Sequence, residues 1–375
     1  MLEQVEFLNT NLQPEEQLLL CCARTRVEAA NAQRITTLLQ EDIDWNYLLP
    51  LAFRHNVAPL LFRSLEAVAP AAVPQEVRAQ LKGQIQVNIQ GNLFLTKELL
   101  NLLTLFGQHR IPVIPYKGPV LAASIYGDLG LRPSNDLDIL VQERHIVQAL
   151  DVLVSHGYQM IRPSSIVQTE KSLQSIRINE LIQKSLWAYQ LIFSHPERQG
   201  IVELHWRITP KYIFPNSSAW LWENLKPVMV GGSTVFTFAP ENLLWFLCVH
   251  GTKHQWKRLS WLCDIAELIR VYPELNWEQV IVRATMLGVE RRLYLGLLLV
   301  SCMLNTPLPG AVEKKIQSTP HIKTLVQQVT EKVFDKGEHT PRIPYLERFL
   351  FQLRAMDHIT DRGRYLLRFA VGWTA

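Results

Sequence analysis

The hexapeptide Asp136-Leu137-Asp138-Ile139-Leu140-Val141 constrains this chain more tightly than any other stretch. Side chains two apart on a β-strand face the same way. Leu137, Ile139 and Val141 therefore share one face, while Asp136 and Asp138 share the other. Carboxylates beside an apolar core are costly unless a partner compensates them, and two so close repel unless a cation lies between them. The fold must bury one side of this strand and bring positive charge to the other. Magnesium takes hard oxygen ligands together with water and substrate phosphates, so the acid pair reads as a metal–phosphate site. The plainer alternative is a solvent-facing edge strand, because a D-x-D pattern is short.

The surroundings favour a sheet. IPVIPY from Ile111, YQMI from Tyr158, YQLIFSH from Tyr189, IVELHWRI from Ile201 and STVFTF from Ser233 are short and β-leaning. QERHIVQALDVLVSHG reads as an amphipathic helix that ends at Gly157. Residues 162–185 fit a helix or a loop, and both stay open. On either side the period changes to that of helices. Leu81, Ile85, Ile89, Leu93, Leu99, Leu100 and Leu103 recur at helix spacing, and from Pro240 onward the pattern is helical, with a break near Gly288. The predicted class is α+β: a small mixed β-sheet core at 106–239, an N-terminal helical segment at 1–105 and a C-terminal helical domain at 240–375.

The 38 basic and 34 acidic residues leave a net charge of +4. That mild excess suits a polyanion such as a triphosphate and does not demand nucleic acid. Five cysteines without a C-x-x-C read as reduced thiols. The N-terminus lacks a basic-then-apolar leader pattern. The longest apolar run, Leu293 to Leu304, is too short to cross a bilayer and reads as a buried helix. A cytoplasmic protein without a membrane partner is the expectation.

Further candidates flank the acid pair. Gly118 follows the first strand and opens a helix, a place where backbone favours anions. Lys117 stands before it as a point charge, and Arg132 and Ser134 precede Asp136 as donors for phosphate oxygens. Their other reading is that they fix the loop. In IVELHWRI, Glu203, His205 and Arg207 share a face. If this strand lies beside DLDILV, Glu203 supplies a third carboxylate, and two metals can clamp an in-line phosphoryl displacement. His205 is expected to support the acids structurally. His250 and His254, four apart, could bind zinc, but no third ligand accompanies them. A structural hydrogen bond to Asp264 is the expected reading, with a nucleotide or acceptor role as the alternative because Lys253, Lys257 and Arg258 cluster nearby. Trp206, Trp245, Trp256 and Trp261 are expected in the core.

KGPVLAASIYGDLGLRPSNDLDILV, VELHWR and LLWFLCVHGTKHQWKRLSWLCDIAELI, continuing through LNWEQVIVRA and DRGRYLLRF, resemble the uncharacterised nucleotidyltransferase family of the polymerase-β-like superfamily. The resemblance implies transfer of a nucleoside monophosphate from a nucleoside triphosphate to an acceptor hydroxyl, with release of pyrophosphate and two Mg2+ ions held by three carboxylates. It implies that Asp136 and Asp138 are the paired metal ligands. Glu203 becomes the acid that binds the catalytic metal and helps deprotonate the acceptor, and Gly118 the turn glycine that approaches the triphosphate. Pro119 departs from the Ser or Gly usual after that glycine. Proline lacks an N–H, which leaves phosphate binding to Lys117, Arg132 or Ser134. The expected acceptor is a small molecule, peptide or protein. A toxin-like enzyme acting on tRNA is the second reading, disfavoured because +4 supplies no broad basic surface. A catalytically inactive nucleotide- or partner-binding module is the third, disfavoured because all three acids are present.

Overall fold

The computed structural model describes residues 12–161, 189–210, 219–335, 345–358, 360–363 and 365–366. The open stretch 162–185 lies outside them. The chain forms two compact units, one of Met1–Val87 with Pro240–Ala375 and one of Asn88–Ala239.

In the second unit, β1 (Val113–Pro115), β2 (Asp136–Val141), β3 (Gln159–Ile161), β4 (Gln190–His195) and β5 (Arg198–His205) make one sheet. Its order is β1-β2-β5-β4-β3, with β2 and β5 parallel and the remaining pairs antiparallel. This is the mixed sheet of an α+β fold. A parallel pair needs a long crossover, and the chain between β2 and β5 supplies it with the helix Ile146–Ser155 and strands β3 and β4. STVFTF departs from the expected mixed sheet. Its strand β7 (Ser233–Thr237) pairs with β6 (Lys226–Val230) as a separate two-stranded sheet. The β6 strand has no clear sequence signal, because Pro227 demotes it.

The apolar face of the main sheet is the one the alternation requires. Leu137, Ile139, Val141, Phe193, Val202, Leu204 and Trp206 are buried against Leu95, Leu99, Leu102 and Phe106 of the helix Gln75–Gln108. Ile146, Ala149, Leu150 and Leu153 of the helix Ile146–Ser155 complete that core. Fully burying each large aliphatic side chain contributes about 1.5–3 kcal/mol. A one-residue slip of β2 would exchange these contacts for carboxylates.

The first unit is helical. Pro14–Cys22, Ala29–Leu38, Trp45–Arg54 and Ala58–Val68 come first, and Gln75–Gln108 begins here. Seven more helices run from Pro240–Lys253 to Tyr345–Arg354 among the described residues. The apolar run lies in Glu290–Leu304, which is buried from Arg291 to Leu304. Gly288 ends the preceding helix at φ +65°. Trp245 and Trp256 are buried here, as Trp206 is in the sheet unit, while Trp261 is half-buried. No helix among the described residues is long and apolar enough to cross a membrane.

His55 links two parts of this unit that are far apart in sequence. Its Nδ1 accepts the Leu259 N–H at 3.1 Å, and its carbonyl accepts the Ser260 N–H at 3.2 Å. These satisfy the first donors of the helix Leu259–Val271, whose own N-cap side chain makes no capping bond. Phe334 packs edge-on against the imidazole at 5.6 Å. Burial, aided by the Arg54 charge, pushes the His55 pKa down to about 3. A histidine depressed in this way stabilises the fold while neutral. Its contribution is full above the ordinary value of about 6.5 and is lost as pH falls from there toward the folded value. Between pH 7 and pH 5 the wild type should lose about 2 kcal/mol more than a His55→Gln variant. Denaturant melts at the two pH values check this, and equal losses would remove His55 from the acid response.

Candidate active site

The parallel register sets Asp138 directly opposite Glu203, with Asp136 opposite Ile201. Adjacent strands lie about 4.8 Å apart, so the two acids are neighbours across the ladder. Alternation brings Asp136, Asp138, Glu203 and His205 to one face, behind the apolar core. Asp138 and His205 are only 2% and 3% exposed, whereas Asp136 and Glu203 are half-buried.

Cationic and polar groups from neighbouring strands meet these acids. Lys117 Nζ lies 3.1 Å from Asp138 Oδ1. His205 Nε2 lies 3.2 Å from the same oxygen and 3.3 Å from Glu203 Oε2, yet it is aligned with neither well enough to hydrogen-bond. Gln190 Nε2 donates to Glu203 Oε2 at 3.0 Å. The Tyr116 and Tyr189 rings pack on His205 with centroids 5.6 and 5.8 Å away, and Phe238 stacks on Tyr116 at 5.1 Å. Asp138 Oδ2 is buried without a hydrogen-bond partner among the described residues. Ligand atoms of Asp138, Glu203 and His205 all lie within 4.8 Å of one another. A buried, unpaired carboxylate oxygen beside a second acid fits a divalent cation, which accepts oxygen lone pairs that no protein donor takes.

The charge balance differs between the two aspartates. Burial, reinforced by Asp138, pushes the Asp136 pKa up to about 6. For Asp138, burial also opposes ionisation, but Lys117 and His205 outweigh it and hold the carboxyl well below the usual range. Burial disfavours the His205 imidazolium, and the two carboxylates overcome that and raise its pKa. Burial and the Asp138 charge raise the Tyr116 phenol far above its ordinary value.

The approach to β2 is shaped by its loops. Gly118 has φ +58°, and a Cβ there would lie 2.9 Å from the Asp136 carbonyl oxygen. Both the backbone angle and the close approach require glycine. Pro119–Leu121 makes one α-helical turn, and Ala122–Tyr126 continues as a π-helix. Arg132 Nη1 donates to Ser134 Oγ at 3.2 Å, and the Arg132 charge reaches Asp136. Lys117, Gly118, Arg132 and Ser134 thus border the acids at the ends of β1 and β2.

His250, His254 and Asp264 belong to the helical unit. The two imidazole centroids are 4.6 Å apart, and both rings pack on Trp261, at 5.4 and 5.3 Å. Asp264 is buried. Sequence reading missed Gln190, Tyr116, Tyr189 and Phe238 at the site. Their segments were recognisable, but only the pairing of β4 with β5, the fold of β1 onto β2 and the stacking of Phe238 on Tyr116 bring them to the acids.

Residues 41–305 match the model of a family described as uncharacterised nucleotidyltransferase. Two solved structures of ANT(2″)-Ia are distantly similar. A crystal structure in complex with adenylyl-2″-tobramycin is 11% identical, covering 51% of this chain and 95% of that chain at a TM-score of 0.31. A solution structure of this antibiotic-resistance factor is 12% identical, covering 52% and 92% at a TM-score of 0.33. No curated protein matches the sequence.

Two outcomes follow from the geometry. Gly118→Ala should cost about 1–3 kcal/mol, through positive φ and the contact with the Asp136 carbonyl; an unchanged urea midpoint would refute the constraint. Asp136, raised in the fold, stabilises it while protonated, so its contribution is present at low pH and lost as pH rises toward and through about 6. Asp136→Asn should therefore stabilise the metal-free protein at pH 7 by roughly 1–3 kcal/mol. Melts in chelator at pH 7 and pH 4.5 test this, with a smaller gain at the lower pH.

Proposed function

The chain belongs to the uncharacterised nucleotidyltransferase family, and we propose that its Asp138–Glu203 centre moves a nucleoside monophosphate from a nucleoside triphosphate to an acceptor hydroxyl, releasing pyrophosphate. The observation that carries this reading is the β2–β5 register, which sets Asp138 opposite Glu203 with Asp136 on the same face.

Asp136, Asp138 and Glu203 would hold the divalent cations, two Mg2+ ions in the arrangement expected from sequence. When bound, these supply charge neutralisation and Lewis-acid activation at the phosphoryl group. The chain's own residues do the remaining work. Lys117, beside Asp138, meets the triphosphate as a point charge. Arg132 and Ser134 donate to phosphate oxygens and orient them. Gly118 lets the backbone approach the phosphates, and Pro119 contributes no N–H there, which places more of the grip on those side chains. Glu203 accepts the acceptor's proton at Oε1, since Oε2 already takes the Gln190 donor. Its partial exposure keeps it within reach of an acceptor, while Asp138 is enclosed. The acceptor class is a small molecule, peptide or protein.

The test is transfer of label from α-labelled nucleoside triphosphates to components of a cell extract, followed by identification of the labelled product. Asp138→Asn and Glu203→Gln are near-isosteric and should each lower transfer by about a thousandfold or more, with unchanged circular dichroism. Full activity in Asp138→Asn would overturn the assignment.

A further inference from the structure

The donor set around Asp138 is not all oxygen. We propose that His205 is a metal ligand, its Nε2 joining Asp138 Oδ1 and Glu203 Oε2 in a mixed nitrogen–oxygen site that prefers a first-row ion such as Mn2+ to Mg2+. The proposal rests on the nucleotidyltransferase reading for its purpose and on the local geometry for its content.

Three observations carry it. The first is spacing. Donors about 2.1 Å from a shared ion stand about 3.0–3.4 Å apart at the cis edges of an octahedron or the edges of a tetrahedron. The two nitrogen–oxygen separations, 3.2 and 3.3 Å, fall in that range. The second is direction. A histidine placed for hydrogen bonding turns its N–H toward one acceptor, whereas His205 Nε2 sits almost equidistant from two carboxylate oxygens and is aligned with neither. The third is how the ring is held. Nδ1 has no hydrogen-bond partner among the described residues, and the imidazole is instead packed by the Tyr116 and Tyr189 rings. Aromatic packing fixes the ring while leaving Nε2 available to an ion.

The chemistry sets the preference. Mg2+ selects oxygen ligands and keeps its waters, while imidazole favours first-row transition ions. An ion at this corner also competes with Lys117 for Asp138 Oδ1, so its arrival would release the ammonium toward a phosphate.

The probe is Mn2+ added to the purified full chain, with binding read by electron paramagnetic resonance and nitrogen coordination by pulsed spectroscopy. The wild type should show a directly bound imidazole nitrogen whose coupling changes when the histidines carry 15N. The signal should vanish in His205→Gln, and the Mn2+ over Mg2+ affinity ratio should fall by about tenfold or more. His205→Asn serves as the second variant if glutamine disturbs folding. Absence of nitrogen coupling in the wild type, its persistence in both variants, or an unchanged affinity ratio would each overturn the proposal. None of these readouts needs turnover. Loss of transfer in Asp138→Asn together with an all-oxygen Mn2+ spectrum would sink this inference alone and leave the enzymatic reading standing.

Discussion

The repulsion between Asp138 and Glu203, set side by side by the parallel β2–β5 pair, is the constraint to which the sheet unit answers. Two like charges about 5 Å apart oppose each other by about 3 kcal/mol at an effective dielectric constant near 20. The fold holds them there by burying the reverse side of the same strands. Leu137, Ile139, Val202, Leu204 and Trp206 all face the helical core, so the residues between the acids supply the free energy that keeps the acids close. Lys117 then brings positive charge to the acidic side, His205 sets its Nε2 between the two acids, and Gln190 takes one Glu203 oxygen.

The elements were legible where one period dominated. The two-residue alternation of DLDILV and VELHW identified both strands and the side each residue faces, because the sheet has one apolar face to bury. The run Leu293 to Leu304 identified a helix buried on all sides. Legibility ended where long-range pairing decides. Lys226–Val230 is a strand only because it pairs with Ser233–Thr237; Val228 and Val230 turn inward while Met229 is exposed, so an apolar residue on the outer face hides the alternation from the sequence. Gln190 could be placed on a strand but not beside Glu203, since that needs the antiparallel register of β4 on β5. His205 was visible on the acid face. Its position between two carboxylates is a property of two strands together.

Loop placement depends on the same core. Asn92, fully buried on the helix Gln75–Gln108, donates through Nδ2 to the Leu129 and Arg132 carbonyls. That helix also presents Leu95, Leu99, Leu102 and Phe106 to the sheet. One element therefore packs the apolar face and anchors the segment that carries Arg132 and Ser134. On the β1 side, Thr237 Oγ1 donates to the Pro115 carbonyl at 2.7 Å, tying the strand end before Lys117 to the separate hairpin. Cationic candidates reach the acids on loops whose backbones are pinned to rigid elements, which would limit the conformational entropy lost in the proposed phosphate binding.

Burial alone cannot explain the charge pattern of β2. Asp138 is the more enclosed of the two aspartates, and burial raises a carboxyl pKa, yet its pKa is lowered while that of the more exposed Asp136 is raised. The difference lies in the neighbours. Asp138 meets Lys117 and His205 within 3.2 Å, whereas for Asp136 burial, reinforced by the Asp138 and Glu203 charges, prevails over the pull of Lys117 and Arg132. Lys117 comes from the end of β1 and His205 from the end of β5, the two strands that flank β2. A strand between those neighbours keeps one carboxylate ionised in a nearly dry position and leaves the next acid on the same face holding its proton more tightly. The topology, through the neighbours it delivers, therefore decides which of two chemically identical side chains stays ionised.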